Sequence, residues 1–228
     1  MNNRKMLNYQ KWLFKKGIPD RAAGITTSLT ENKDSRFLYP WNGLEERLQD
    51  KNGQFIMIGY GSLLNPSSAA RTIADTPPDG QTPVIAWGAK RLFDYVIPPE
   101  VLERYGEPAM PDQIAALNTV WTGQITDFLN GRAIELAIED LPGLRKREVD
   151  YDLMPVSWLP WNDPNSQIQS GFVLCAKQDS GATNKQIRSF PPYTKVCAEG
   201  AKIVDSDFED CFWESTFQAN GKTPEPRL

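Results

Sequence analysis

The residues with the most chemical potential lie in one short stretch. Gly59-Tyr60-Gly61-Ser62-Leu63-Leu64-Asn65-Pro66 follows an apolar run and leads into a helix start. Its two glycines let the backbone turn sharply and come close to a ligand. Successive backbone N–H groups, with the free N–H groups of the helix that follows, form an anion site suited to a carboxylate. Ser62 adds a hydroxyl, and Tyr60 adds an aromatic wall with a polar tip. The lysine and spacing of a phosphate-binding GxxxxGK[ST] loop are missing. The same residues also read as an ordinary glycine-containing strand-to-helix turn, and both readings stand at this level.

What the chain lacks narrows the chemistry further. It has no histidine, which removes Ser-His-Asp and Cys-His nucleophilic catalysis, histidine bases and histidine-ligated zinc. Cys175, Cys197 and Cys211 form no CxxC and cannot all pair. Neither a disulfide scaffold nor a metal site is expected, and the usage suits a reducing cytoplasm. A net charge of −4 argues against a nucleic-acid or anionic-membrane partner. Residues 1–50 nevertheless hold nine Lys/Arg and six Asp/Glu, a basic leader on an acidic body. No stretch approaches the ~20 apolar residues of a membrane span, and the first residues lack the apolar core of a secretory signal.

The elements around the loop follow from pattern. Phe55-Ile56-Met57-Ile58, ended by Gly59, reads as a strand buried on both faces. Asn65 and Pro66 are an N-cap and first-turn proline for a helix running to Arg71. Thr82–Trp87, Arg91–Ile97, Ala116–Ile125, Arg132–Ile138, Tyr151–Val156 and Gly171–Cys175 have strand composition. Asn130-Gly131 is a hairpin-type turn. Residues 98–112 carry four prolines and read as an exposed excursion. Asp140 caps a short helix whose packing side is Leu141 and Leu144. Helical spacing runs from Tyr193 to Val204 and from Phe208 to Phe217, before a frayed tail. Further helices are expected over Leu7–Lys16 and Leu44–Lys51. The organisation is an N-terminal extension (residues 1–53), a mixed α+β domain (54–217) and a tail (218–228). The domain is expected to close as a barrel-like sheet with short helices at its rim.

The stretch QFIMIGYGSLLNPSSAART, residues 54–72, resembles the signature loop of the γ-glutamyl cyclotransferase-like (AIG2-like) family. In that family a YGS[LN]-type turn holds the amino and carboxylate end of a γ-glutamyl group, which implies a substrate site at Tyr60, Gly61, Ser62 and Leu63. A second segment, Leu144-Arg145-Lys146-Arg147-Glu148-Val149-Asp150-Tyr151, is similar to the family's LDxREx2Y pattern. It implies that Glu148 is the catalytic general base. Arg145 departs from the pattern, standing where the family often has aspartate, and another register would put Pro142 at the glutamate position. A third segment, from Pro191-Pro192-Tyr193 to Gly200-Ala201, resembles the family's PxYxxxxxxGA and implies that Tyr193 lies near the pocket. The resemblance spans residues 54–217 in order, and residues 1–50 match no pattern.

Each implied residue also has a plainer reading. Glu148 is equally a solvated helix carboxylate among Arg145, Lys146 and Arg147, whose charges would lower its pKa. Arg145, at i−3, is expected to share its face, with Lys146 and Arg147 pointing away. Tyr193 is equally a core aromatic. The implied reaction is cyclisation of a γ-glutamyl amide to 5-oxoproline with release of an amine or amino acid, without cofactor or metal. The alternatives are a non-catalytic module that binds a small amino-acid-like ligand, and a related amide-processing enzyme. A cysteine-nucleophile enzyme is the weakest, since Cys197 and Cys211 sit among apolar residues.

Overall fold

The apolar run at residues 55–58 becomes β1 (Gln54–Gly59), with Phe55, Met57 and Ile58 in the core. The computed structural model describes residues 11–13, 15, 19–49, 54–70, 81–102, 114–177 and 180–227. Within them follow β2 (Thr82–Trp87), β3 (Ala89–Val96), β4 (Ile114–Trp121) and β5 (Phe128–Ala137). After these come β6 (Tyr151–Pro160), β7 (Gln169–Ala176), β8 (Arg188–Ser189) and β9 (Thr216–Gln218). Five of the strands pair in the order β1-β5-β2-β6-β7, and a parallel contact of Met57 with Phe172 returns β7 to β1. The other four form a sheet in the order β8-β4-β3-β9. Gly88, at φ 104, is the hinge by which β2 leaves one sheet and β3 enters the other.

The helices are short: α1 (Ala22–Asn32), α2 (Leu44–Gln49), α3 (Pro66–Ala70), α4 (Pro99–Leu102), α5 (Leu141–Arg147), α6 (Pro191–Lys202) and α7 (Ser206–Glu214). The mixed architecture thus consists of curled sheets with short helices. No helix among the described residues is long and apolar enough to cross a membrane.

The described residues between 11 and 49 do more than decorate the surface. Trp12, Leu13, Ile25, Leu29, Trp41 and Leu44 are buried in the same core as β1 and β5. The Trp12 indole lies 5.6 Å from Trp161 and donates its N–H to Glu214 at 2.9 Å. The helix α1 had no clear signal in the sequence, because β-branched residues interrupt it and neither end has a strong cap. Of the helix expected over Leu7–Lys16, residues 11–13 and 15 are helical and the rest lies outside the described residues, as do Arg71 and residues 50–51 of two other expected helices.

Several expectations are corrected. Asn130-Gly131 is not a turn but the buried middle of β5. The Asn130 side chain bonds to Arg91 and to the Phe208 carbonyl, partners far away in sequence. The chain instead turns at residues 125–127. Asp140 makes no side-chain cap for α5; its carboxylate accepts the Ala137 amide at 2.8 Å, closing the preceding 3-10 turn. The excursion begins as α4, whose Leu102 is buried with Ile97, Ile114 and Phe190, and residues 103–112 of it lie outside the described set. The tail is not frayed over 218–225: Gln218 and Glu225 bond back to Thr223 and Thr216, and the Glu225 carboxylate accepts from Ser189.

Candidate active site

The loop after β1 is shaped by what packs behind it. Ser62–Leu64 forms a 3-10 turn, with Leu64 N–H bonded to Gly61 O and Asn65 N–H to Ser62 O. Such a turn leaves its first N–H groups without partners inside it. Leu63 and Leu64 point into the core, and Asn65 caps α3 as expected, its Oδ1 accepting the Ser67 amide at 3.0 Å. Tyr60 is buried and donates its hydroxyl to the Leu174 carbonyl at 2.6 Å. Its phenol is therefore committed to the fold, and burial holds its pKa well above the ordinary value.

Two other elements pin this loop. Arg91, fully buried on β3, donates from Nη1 to Tyr60 O at 3.2 Å and to Asn130 O at 2.8 Å. Its remaining donors reach Thr216 Oγ1, Asn130 Oδ1, Phe212 O and Ser215 Oγ at 2.8 to 3.1 Å. No carboxylate is among those partners; burial lowers the guanidinium pKa to about 10, so it stays charged at neutral pH. Helix α6 presses from the other side. A methyl group on Gly200 would lie 2.4 Å from Asn65 N, and one on Gly61 would lie 2.5 Å from the Tyr193 hydroxyl. Both glycines are needed for close approach, and Tyr193 sits directly over the turn.

Glu148 follows the last residue of α5. Its φ of −106° and ψ of 44° take it out of the helix, so the i−3 spacing that would pair it with Arg145 no longer holds. Two of the cations are arranged opposite to the expectation, while Lys146 is exposed as expected. Arg145 turns away to Glu45 and to the carbonyls of Pro40 and Trp41. Arg147 turns inward, its Nε 2.8 Å from Glu148 Oε1. That contact lacks hydrogen-bond geometry, and Oε1 accepts no hydrogen bond among the described residues. Glu148 is only 6% exposed. Burial pushes its carboxyl above the usual carboxylate range, against a smaller downward pull from Arg147. The solvated carboxylate that its basic neighbours suggested is not what the structure holds.

The residues singled out in the sequence meet around one pocket of about 80 Å³. Tyr60, Gly61, Ser62 and Leu63 form one wall, Glu148 and Arg147 another, and Tyr193, Tyr151, Leu117 and Leu174 complete it. Arg147, Tyr151 and Leu117 had not been singled out as pocket residues. Nor had Arg91, which stands between Lys90 and Leu92 on a strand that also carries Asp94 and so gave no distinct signal. Chemically, the pocket offers an amide-lined turn beside a buried carboxylate that can take up a proton. The cysteines lie elsewhere. Burial pushes the Cys175 and Cys197 thiols up to about 12, out of range for a thiolate nucleophile.

No family model matches the chain, and no curated protein matches it. Among solved structures, it is similar to the uncharacterized protein loc79017 from Homo sapiens, at 14% identity and a TM-score of 0.49, covering 77% of this chain and 90% of that one. It is similar to a gamma-glutamyl cyclotransferase at 11% identity and a TM-score of 0.47, covering 76% of this chain and 89% of that one. The YkqA protein of Bacillus subtilis has 13% identity and a TM-score of 0.47, and the match covers 73% of this chain and 55% of that one.

Proposed function

We propose that this chain is a γ-glutamyl cyclotransferase-like enzyme that converts a γ-glutamyl amide to 5-oxoproline, with Glu148 as its general base. The observation that carries the reading is the Glu148 carboxylate, buried and with Oε1 free of hydrogen bonds, facing the Tyr60–Leu63 turn across one pocket. The α-amine of the substrate attacks its own γ-carbonyl, the C–N bond of the amide breaks, and the released amine carries away a proton. An α-amino group has a pKa of ~8 and is largely an ammonium near neutral pH. Glu148, its pKa raised by burial, takes that proton and passes it to the leaving nitrogen. The turn's amides hold the α-carboxylate, folding the substrate toward ring closure. The attack is already intramolecular, so this ordering contributes by freezing the rotors that ring closure must align. Backbone N–H groups of Gly61–Leu63 also face the developing oxyanion, and Ser62 and Tyr193 frame the substrate.

A second reading is favoured by Arg147, whose charge 2.8 Å from Glu148 suits a site that binds an amino-acid-like ligand without turning it over. One experiment separates the two. Purified protein is incubated with a panel of γ-glutamyl peptides and amines, and 5-oxoproline is measured by mass spectrometry, with Glu148→Gln alongside. Product from wild type and a loss of at least about 1,000-fold in the variant supports the enzyme. Ligand-induced thermal stabilisation with no product supports the binding module. Full activity in the variant ends the assignment of Glu148.

A further inference from the structure

Glu148 belongs to no regular element. It stands between the end of α5 and the start of β6, in a turn whose own bonds are Glu148 N–H to Leu144 O at 2.8 Å and Tyr151 N–H to Glu148 O at 3.1 Å. The firmer hold comes from a distant part of the chain. Three residues before Glu148, Arg145 donates from Nε to Pro40 O at 2.7 Å and from Nη2 to Trp41 O at 3.2 Å, and pairs through Nη1 with Glu45. Three residues after it, the Tyr151 carbonyl accepts the Trp41 indole N–H at 3.0 Å. Asp152 then accepts the Tyr39 amide at 2.8 Å. Residues 39–45 therefore grip the chain on both sides of the carboxylate.

Trp41 is the centre of that grip. It is fully buried yet has φ 62, a left-handed conformation that a bulky residue rarely adopts. Such a conformation persists where the surrounding contacts over-determine it. We infer that Arg145 and Trp41 are positioning residues for Glu148, and that the 39–45 segment sets how deep the carboxylate sits in the pocket. The inference deepens the proposed function and rests on it only for the word catalysis. It also accounts for the residue type at 145. The three groups that meet this side chain are two carbonyls and a carboxylate, all acceptors. An aspartate there would find no donor among them, whereas the guanidinium fork satisfies all three.

Arg145 does not act on Glu148 through its charge. The charge beside Glu148 is the Arg147 guanidinium, 2.8 Å away, and the side chains of Tyr60, Tyr151 and Tyr193 line the same pocket. Arg145 instead spends its charge on Glu45. This gives the test a sign. Removing a cation by its field alone would raise the pKa of a nearby carboxyl, whereas releasing the turn to water would lower it toward the ordinary value.

The experiment titrates the Glu148 carboxyl by ¹³C NMR, assigned with Glu148→Gln, in the full-length wild type, Arg145→Ala, Arg145→Lys and Trp41→Phe. Trp41→Phe removes the indole N–H together with part of a fully buried ring system, so Arg145→Lys, which keeps the charge and most of the side chain's length, is the folded comparison if either truncation proves unstable. The Glu148 pKa should fall in both Arg145→Ala and Trp41→Phe, and Arg145→Lys should fall short of full rescue because an ammonium lacks the fork. With a substrate that wild type turns over, kcat should drop ~10- to 100-fold while KM stays within about twofold. A pKa unmoved or raised in both variants overturns the inference, and so does an unchanged kcat. If wild type makes no product, the functional reading fails while the titration still decides the positioning.

Discussion

Tyr60 and Glu148 face the same pocket, yet the partners of Tyr60 are all buried whereas those of the Glu148 turn combine the buried Trp41 with a partly exposed ion pair. The loop carrying Tyr60 has Arg91 behind its carbonyl, Leu174 at its hydroxyl and Gly200 against its backbone, all of them buried. The turn carrying Glu148 is held by Arg145 and Glu45, which are partly exposed, and by the Trp41 indole. Under the proposed function, a loop packed against buried partners thus faces a carboxylate whose turn is held partly by exposed ones. This division suits a site where one side must fit a fixed ligand shape and the other must handle a proton. Local openings concentrate where backbone bonds are few and near water.

The comparison breaks most readily at Arg91. Arg91→Met leaves several buried acceptors without donors, at a cost of about 1–3 kcal/mol each, so a total of about 4 kcal/mol or more is expected. That corresponds to a melting temperature lower by roughly 10 °C or more. A melt within about 2 °C of wild type would show that the loop is not held from the core.

A smaller effect is expected at Gly61. Gly61→Ala forces a methyl within 2.5 Å of the Tyr193 hydroxyl, an overpacking cost of about 1–3 kcal/mol. Tyr193→Phe removes that hydroxyl, and the next atoms then lie 3.8 Å away. Thermal melts of the two single variants and the double should therefore be strongly non-additive, with Gly61→Ala nearly neutral in the Tyr193→Phe background. Additive melts would mean that Tyr193 does not pack on the turn.

The gentlest probe is the pH dependence of stability. The Glu148 carboxyl has a raised pKa in the folded chain, so the native state keeps its proton to higher pH than the unfolded state does. Its contribution is fully present below the unfolded value and is lost as pH rises through the folded one. Glu148→Gln removes this titration. The melting temperature of the variant relative to wild type should be lowest near pH 4 and should increase toward pH 7. A constant difference would mean that the carboxylate is solvated.

The loop was legible because its signals are local. An apolar run ended by glycine made β1, and Asn65 with Pro66 made the helix start, each within a few residues. The carboxylate segment was legible in composition but not in orientation. Periodicity assigned Arg145 to the face of Glu148, and the helix ended one residue too soon for that rule to apply. Asn130-Gly131 was misread for the complementary reason: the amide that favours a turn locally is claimed here by Arg91, from 39 residues away. The role of residues 39–45 had no sequence signal, since it consists of backbone carbonyls meeting a side chain about 100 positions later.

The seat of Trp12 has a consequence for synthesis. Its indole N–H is bonded to Glu214, 202 residues further along the chain. At translation speeds of ~5–20 residues per second, roughly 10–40 s pass between the making of the two. Throughout that interval the first buried tryptophan has no finished slot to enter, and β1 lacks its β5 and β7 neighbours for much of it. The seat of Trp12 is thus completed only once Glu214 has been made.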